Sequence, residues 1–273
     1  MTYRGFSGAK LEQEYSPSSM MEEDLSVFLQ RYVDESKKAR AQHPVQEMLR
    51  YGDHEDETLD YFPCSLPDAP LHVFIHGGYW QQLSHREAAS MAPSILSAGS
   101  NFATLNYTIA PAGHIRDMVD QCARAVIWLK GQAAELGFDP KRIVISGHSA
   151  GAQLAAMLIN DLDGVFAQNH VTIESAILIS GIYDLEPIRF TSVDKPLNLT
   201  EQDVRALSPM NFKPAVCSKA KVVVAQNDTA EFVRQSKEYY AHLKSNGIQG
   251  SLEIVQDYHH FDIILRPETF EHP

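Results

Sequence analysis

The stretch of this chain best equipped for chemistry is Gly147-His148-Ser149-Ala150-Gly151. An apolar β-branched run, Ile143 to Ile145, precedes it and reads as a buried strand. From Ser149 onward the pattern turns helical, with Leu154, Ala155, Leu158 and Ile159 on one face. A G-x-S-x-G between strand and helix is the context of a nucleophile elbow. Its glycines permit a sharp turn without a Cβ clash, which leaves the Ser149 hydroxyl above the sheet at the positive end of a helix. At neutral pH such a hydroxyl is a weak nucleophile. It needs a base to take its proton, an acid to orient that base, and donors for the developing oxyanion.

With twelve histidines in the chain, position must single out the base. In the hydrolase order Ser…Asp/Glu…His it lies in the loop after the last strand, here Asp257-Tyr258-His259-His260-Phe261-Asp262. His260, directly before an apolar run, is the candidate base; His259 is the rival, since adjacent side chains point in different directions. The candidate acid is Asp228, at the carboxyl end of Lys221–Ala225, where it could alternatively cap the helix that begins near Glu231. Asp184, which ends the preceding strand, is the second choice. Expected oxyanion donors are the backbone N–H of Ala150 and those of Gly78 and Tyr79 in the turn His76-Gly77-Gly78-Tyr79-Trp80. His76 is expected to hold that loop.

His85, His114 and His148 have no spaced partners that suggest a metal site, and surface or packing roles are expected for them. No metal or cofactor enters the scheme, so activity should survive a chelator. Gly77-Gly78 is accompanied by no G-x-G-x-x-G or Walker pattern.

The elements that must carry these residues can be read in order. An amphipathic helix is expected from about Glu22 to Arg40. Strands are expected at Met48–Tyr51, Thr58–Phe62, Leu71–Ile75, Phe102–Tyr107, Ile143–Ile145, Val171–Ile179, Lys221–Ala225 and Ser251–Val255, with helices at Ile115–Leu136 and Glu231–Ser245. Apolar strands alternating with helices indicate an α/β fold with a mostly parallel sheet covered on both faces. A single domain over 1–273 is expected, with 1–45 as an N-terminal helical arm. The proline-bearing stretch 185–216 reads as a lid or pocket-lining insertion.

Composition narrows the class. The formal charge of −12 repels phosphate backbones, so nucleic acid is not an expected partner. No window approaches the roughly 18 apolar residues of a membrane span. Cys64, Cys122 and Cys217 are an odd, widely spaced set, which points to a reducing, cytoplasmic setting, with Cys122 in the core. A small-molecule substrate is the expected partner, and a homodimer is left open.

With Ser149, Asp228 and His260 in this order behind His76-Gly77-Gly78-Tyr79-Trp80, the chain resembles the α/β-hydrolases, and more narrowly the serine-dependent kynurenine formamidases (arylformamidases). The similarity includes Glu14-Tyr15-Ser16-Pro17, the 35–40 stretch, Leu59-Asp60-Tyr61, Met118-Val119-Asp120-Gln121, Ser180-Gly181, Asp184-Leu185-Glu186-Pro187 and His260-Phe261. The resemblance implies hydrolysis of N-formyl-L-kynurenine to formate and kynurenine, with Ser149, Asp228 and His260 as the catalytic residues. Relatives with this loop also include general esterases and thioesterases, so a carboxylesterase or amidase acting on another small acyl group is the alternative. A binding protein on a hydrolase scaffold would be expected to lack one of these features. Beside the site, His76, Gly77, Tyr79 and Trp80 are expected to shape a tight acyl side. Tyr183, Phe190 and Met210 are the candidates for an aromatic slot.

Overall fold

The computed structural model describes residues 2–272. A two-residue ribbon, Thr2–Tyr3 with Phe6–Ser7, leads into α1 (Gly8–Glu14) and α2 (Leu25–Gln42). Then follow β1 (Gln46–Arg50), β2 (Thr58–Phe62), β3 (Ala69–Ile75), α3 (Ala92–Ser97), β4 (Asn101–Leu105) and α4 (Ile115–Gly131). The second half runs β5 (Phe138–His148), α5 (Ala150–Asn160), β6 (Ile173–Ile179), α6 (Glu201–Leu207), β7 (Lys219–Ala225), α7 (Ala230–Ser245) and β8 (Gln249–Val255).

The eight strands form one sheet in the order β8-β7-β6-β5-β3-β4-β2-β1. Pairing is parallel from β8 through β4 and antiparallel at β4–β2 and β2–β1. All eight expected strands are present, with boundaries that move by a few residues. The expected Ile115–Leu136 helix is interrupted at Gln132, and a separate turn spans Ala133–Leu136.

Central strands covered on both sides bury every residue, with alternate ones on opposite faces, as β3 does throughout and β5 and β6 do over 143–148 and 175–179. Leu71, Val73, Ile75, Ile143, Ile145, Ala176 and Leu178 pack with Met118, Val126, Leu154 and Phe232 of α4, α5 and α7. Phe74, Val144, Ile177 and Ile179 pack on the other face with Tyr32 of α2, Ile95 of α3, and Ile263 and Phe270. Cys122 lies in the first of these layers, and all three cysteines are unpaired. Parallel strands bring their carboxyl ends to one edge, where ligands of open α/β sheets bind. The turns after β3, β5, β7 and β8 carry His76, Ser149, Asp228 and His260.

Candidate active site

Ser149 stands between β5 and α5 with φ 56° and ψ −120°. A non-glycine residue at positive φ costs on the order of 1–3 kcal/mol, and it persists only where the surroundings hold it. Here the Ser149 N–H donates to the Ile179 carbonyl of β6 at 2.9 Å. The flanking glycines are obligatory for close approach. A Cβ on Gly147 would lie 2.2 Å from the Gly151 carbonyl oxygen, and one on Gly151 would lie 2.1 Å from that of Ile75. Serine at a helix N-cap ordinarily spends its side chain on a backbone N–H of the first turn. Ser149 makes no such cap, so its hydroxyl is not consumed by the helix.

His260 and Asp228 meet: Nδ1 of the imidazole lies 2.8 Å from Oδ2, and both side chains are buried. A carboxylate can only accept, so Nδ1 carries the proton and Nε2 of the neutral ring keeps its lone pair. The second Asp228 oxygen accepts the Thr229 N–H at 3.0 Å. The imidazole is packed edge-on by Phe232, with ring centroids 4.8 Å apart, and by Phe261 at 5.1 Å. Ser149 and His260 border one cavity of about 310 Å³. Among the described residues, the Ser149 hydroxyl makes no hydrogen bond to His260 in this conformation.

The rival assignments are placed elsewhere. The His259 ring lies 4.6 Å from that of Phe28, its Nδ1 accepts the Phe261 N–H at 3.1 Å, and its Nε2 faces Asp262 at 3.4 Å. Asp184 accepts the Tyr3 hydroxyl at 2.5 Å and the Glu186 N–H at 3.0 Å. Neither reaches the Asp228–His260 pair.

His148 has a part that its sequence context did not disclose. It is buried and its Nε2 lies 2.8 Å from the His260 carbonyl oxygen, so Nε2–H donates there. Burial holds its pKa well below the ordinary imidazole value, which keeps it neutral as that donor. It therefore fixes the backbone that presents His260. No signal beyond its place inside the serine motif could have identified this role.

In the turn after β3, Gly78 has φ +100°, and a Cβ there would lie 2.2 Å from the Gln82 carbonyl oxygen. Gly77 packs against the nucleophile's own turn, since a Cβ on it would meet the His148 carbonyl oxygen at 2.8 Å. His76 is stacked on Tyr107 with centroids 4.2 Å apart, and its Nδ1 lies 2.9 Å from the Gly77 carbonyl oxygen. Burial lowers the pKa of His76 to about 4. Among the described residues, no hydrogen bond consumes the backbone N–H of Gly78, Tyr79 or Ala150. Gly78 and Tyr79 line the cavity, as do His76 and Gly77.

Four expected pocket residues do not line it. Trp80 is fully buried and donates its indole N–H to Gln153 of α5 at 3.0 Å, because a buried indole needs a partner and the nucleophile's helix supplies one. Tyr183 is buried in a stack on Tyr239, with centroids 4.0 Å apart. Phe190 and Met210 pack against the same helical layer. Of the 185–216 stretch, only Ser192 and Val193 reach the cavity. The cavity is walled instead by the N-terminal arm and its neighbours: Leu25, Leu29 and Tyr32 of α2, with Met91, Phe261 and Ile264.

The arm is stitched to the site at several points. The Tyr79 hydroxyl donates to the Tyr15 carbonyl at 2.6 Å, and the Thr229 hydroxyl to that of Glu14 at 2.6 Å. The Tyr15 hydroxyl donates to Glu231 at 2.8 Å and accepts from Gln235. These contacts link the turn carrying Gly78 to the one carrying Asp228.

Among the described residues, no group of three or more histidine, cysteine or acidic side chains could hold a metal ion. No helix among them is long and apolar enough to cross a membrane.

Residues 61–243 match the BD-FAE family model. Over 275 residues, the chain is 38% identical to kynurenine formamidase of Danio rerio, covering 96% of this chain and 92% of that one. The kynurenine formamidase of Salmo salar is 37% identical, with 93% and 90% covered. This chain belongs to the kynurenine formamidase family of α/β-hydrolases. Among solved structures, a hyperthermophilic esterase from Pyrobaculum calidifontis superposes with a TM-score of 0.72 over 89% of this chain and 86% of that one, at 18% identity. That likeness speaks for the fold. Within a hydrolase family the side chains just described acquire a context: a serine with an unspent hydroxyl, an imidazole oriented by a buried carboxylate, and unpaired amide hydrogens beside them.

Proposed function

We propose that this kynurenine formamidase family member hydrolyses the formyl amide of N-formyl-L-kynurenine through a formyl-serine intermediate. The observation that carries the reading is that Ser149 and the Asp228-oriented His260 border the same cavity.

Ser149 Oγ attacks the formyl carbon as His260 Nε2 takes the hydroxyl proton. The N–H groups of Gly78, Tyr79 and Ala150 hold the oxyanion, and Asp228 stabilises the imidazolium. The C–N bond breaks as His260 returns that proton to the leaving aryl nitrogen. Water, deprotonated by the same imidazole, then attacks formyl-Ser149 and releases formate. An anilide suits such machinery because its nitrogen lone pair is shared with the ring, so the amide is weaker than a peptide bond. Three unpaired cysteines support a reducing, cytoplasmic setting for this step of tryptophan breakdown.

Ester hydrolysis is the second reading, favoured by the esterase fold relative and by machinery indifferent to the leaving group. Comparison of kcat/KM for N-formylkynurenine with that for phenyl acetate and phenyl butyrate tests the proposal. The formamide should be preferred, with all turnover lost in Ser149→Ala. Turnover of the esters with none of the formamide would overturn it.

A further inference from the structure

The cavity beside Ser149 has a one-sided electrostatic character. Glu12 of α1 and Glu87, in the turn before α3, both line it, and both are half-buried. Glu87 Oε2 accepts the Ser84 N–H at 2.9 Å and its hydroxyl at 2.8 Å. Glu12 accepts the Ser192 N–H at 2.8 Å and the Ser192 hydroxyl. These partners are neutral and fix the carboxylates in place without cancelling their charge. Among the described residues, neither glutamate joins an ion pair, and no lysine or arginine lines the cavity.

The histidines do not restore the balance. His76 and His148 are held neutral by burial, and any charge on His260 is matched by Asp228. His76 adds a second, independent observation. It is nine-tenths buried or more, it borders the cavity, and its Nε2 has no partner. With Nδ1–H donated to the Gly77 carbonyl, that Nε2 is a bare acceptor. Carboxylates and an unpaired acceptor call for a ligand rich in N–H donors, and a buried acceptor left unmet is costly.

Resting on the formamidase reading above, we propose that this cavity reads its substrate as a cation. Glu12 and Glu87 hold an ammonium group on the side chain of the aryl formamide, and the substrate's carboxylate has no cationic partner there. The substrate class is then aryl formamides bearing an amine, whether or not a carboxylate accompanies it. The carboxylate of an amino-acid substrate is tolerated at the cavity mouth rather than recognised.

The test is a ratio: kcat/KM for the amine made by removing the carboxylate of N-formylkynurenine, over that for the acid made by removing its amino group. In the wild-type enzyme the amine should exceed the acid by about tenfold or more, the scale of a charged hydrogen-bonded contact. In the double variant Glu12→Gln/Glu87→Gln the ratio should fall toward one. Because glutamine keeps an acceptor for Ser84 and Ser192, and because a ratio is blind to losses common to both substrates, general damage to the fold does not mimic this result. An acid hydrolysed as fast as the amine, or a ratio unchanged in the double variant, would overturn the proposal. The same two side chains carried on phenyl formates read the charge preference even where no formamide is cleaved. Failure of the formamidase reading is thereby told apart from failure of this one.

Discussion

At the scale of single residues, the account depends on which carboxylate meets which imidazole. Asp228 and His260 are buried together, whereas Asp184 is occupied by Tyr3 and Glu186 and His259 by Phe28 and Asp262. Replacing Asp228 by Ala should leave His260 without the acceptor that sets its tautomer and lower kcat by about 10⁴-fold, the scale known for such a loss. Asp184→Ala should change kcat by less than about tenfold, because it removes only contacts to the arm and a local turn. Steady-state kinetics on both variants, with folding checked by circular dichroism, gives the comparison; equal losses would contradict the assignment. The positions of Ser149, Asp228 and His260 were legible because each stands where a strand ends, and strand ends announce themselves by a change of periodicity. The fate of Trp80, Tyr183, Phe190 and Met210 was not legible. An aromatic beside a motif can sit on either side of a turn, and what decides is whether a partner such as Gln153 or Tyr239 waits there.

At the scale of elements, the turn after β3 is held from two directions. Trp80 ties it to α5 through Gln153, and Tyr79 ties it to the arm through the Tyr15 carbonyl. Tyr79→Phe removes the second tie and leaves that carbonyl without its donor. A hydrogen bond of this kind contributes about 1 kcal/mol net, so kcat should fall about fivefold while KM changes little. An unchanged kcat would show that the turn needs no support from the arm. The strands were all foreseen, the central ones because apolar β-branched runs between turn residues have few other meanings. The short helices α1, α3 and α6 were not, because six or seven residues carry too little periodicity to register. Nor does a sequence tell which surface an amphipathic helix covers. That α2 walls the cavity with Leu25, Leu29 and Tyr32 follows from tertiary packing alone.

For the molecule as a whole, burial of neutral histidines makes stability depend on pH. Desolvation lowers the pKa of His72 to about 3 and that of His76 to about 4, and His148 is also held well below its ordinary value. Each binds a proton in the unfolded chain near pH 6.5 but not in the fold. Stability is therefore full above about pH 6.5 and is lost as pH falls from there toward the folded values. Each unit of pH in that window removes up to about 1.4 kcal/mol per such histidine. The urea midpoint should be clearly lower at pH 5 than at pH 7.5, and His72→Leu should flatten the dependence. Equal midpoints at the two pH values would contradict the picture of imidazoles buried uncharged.

The central claim is that a single hydroxyl, Ser149 Oγ, is the nucleophile and that His260 activates it. Intact-protein and peptide mass spectrometry after exposure to a fluorophosphonate measures this directly. The account predicts one adduct per chain, on the peptide carrying Ser149, and labelling slowed by orders of magnitude in His260→Ala. An adduct on another residue, or equally fast labelling without His260, would contradict it.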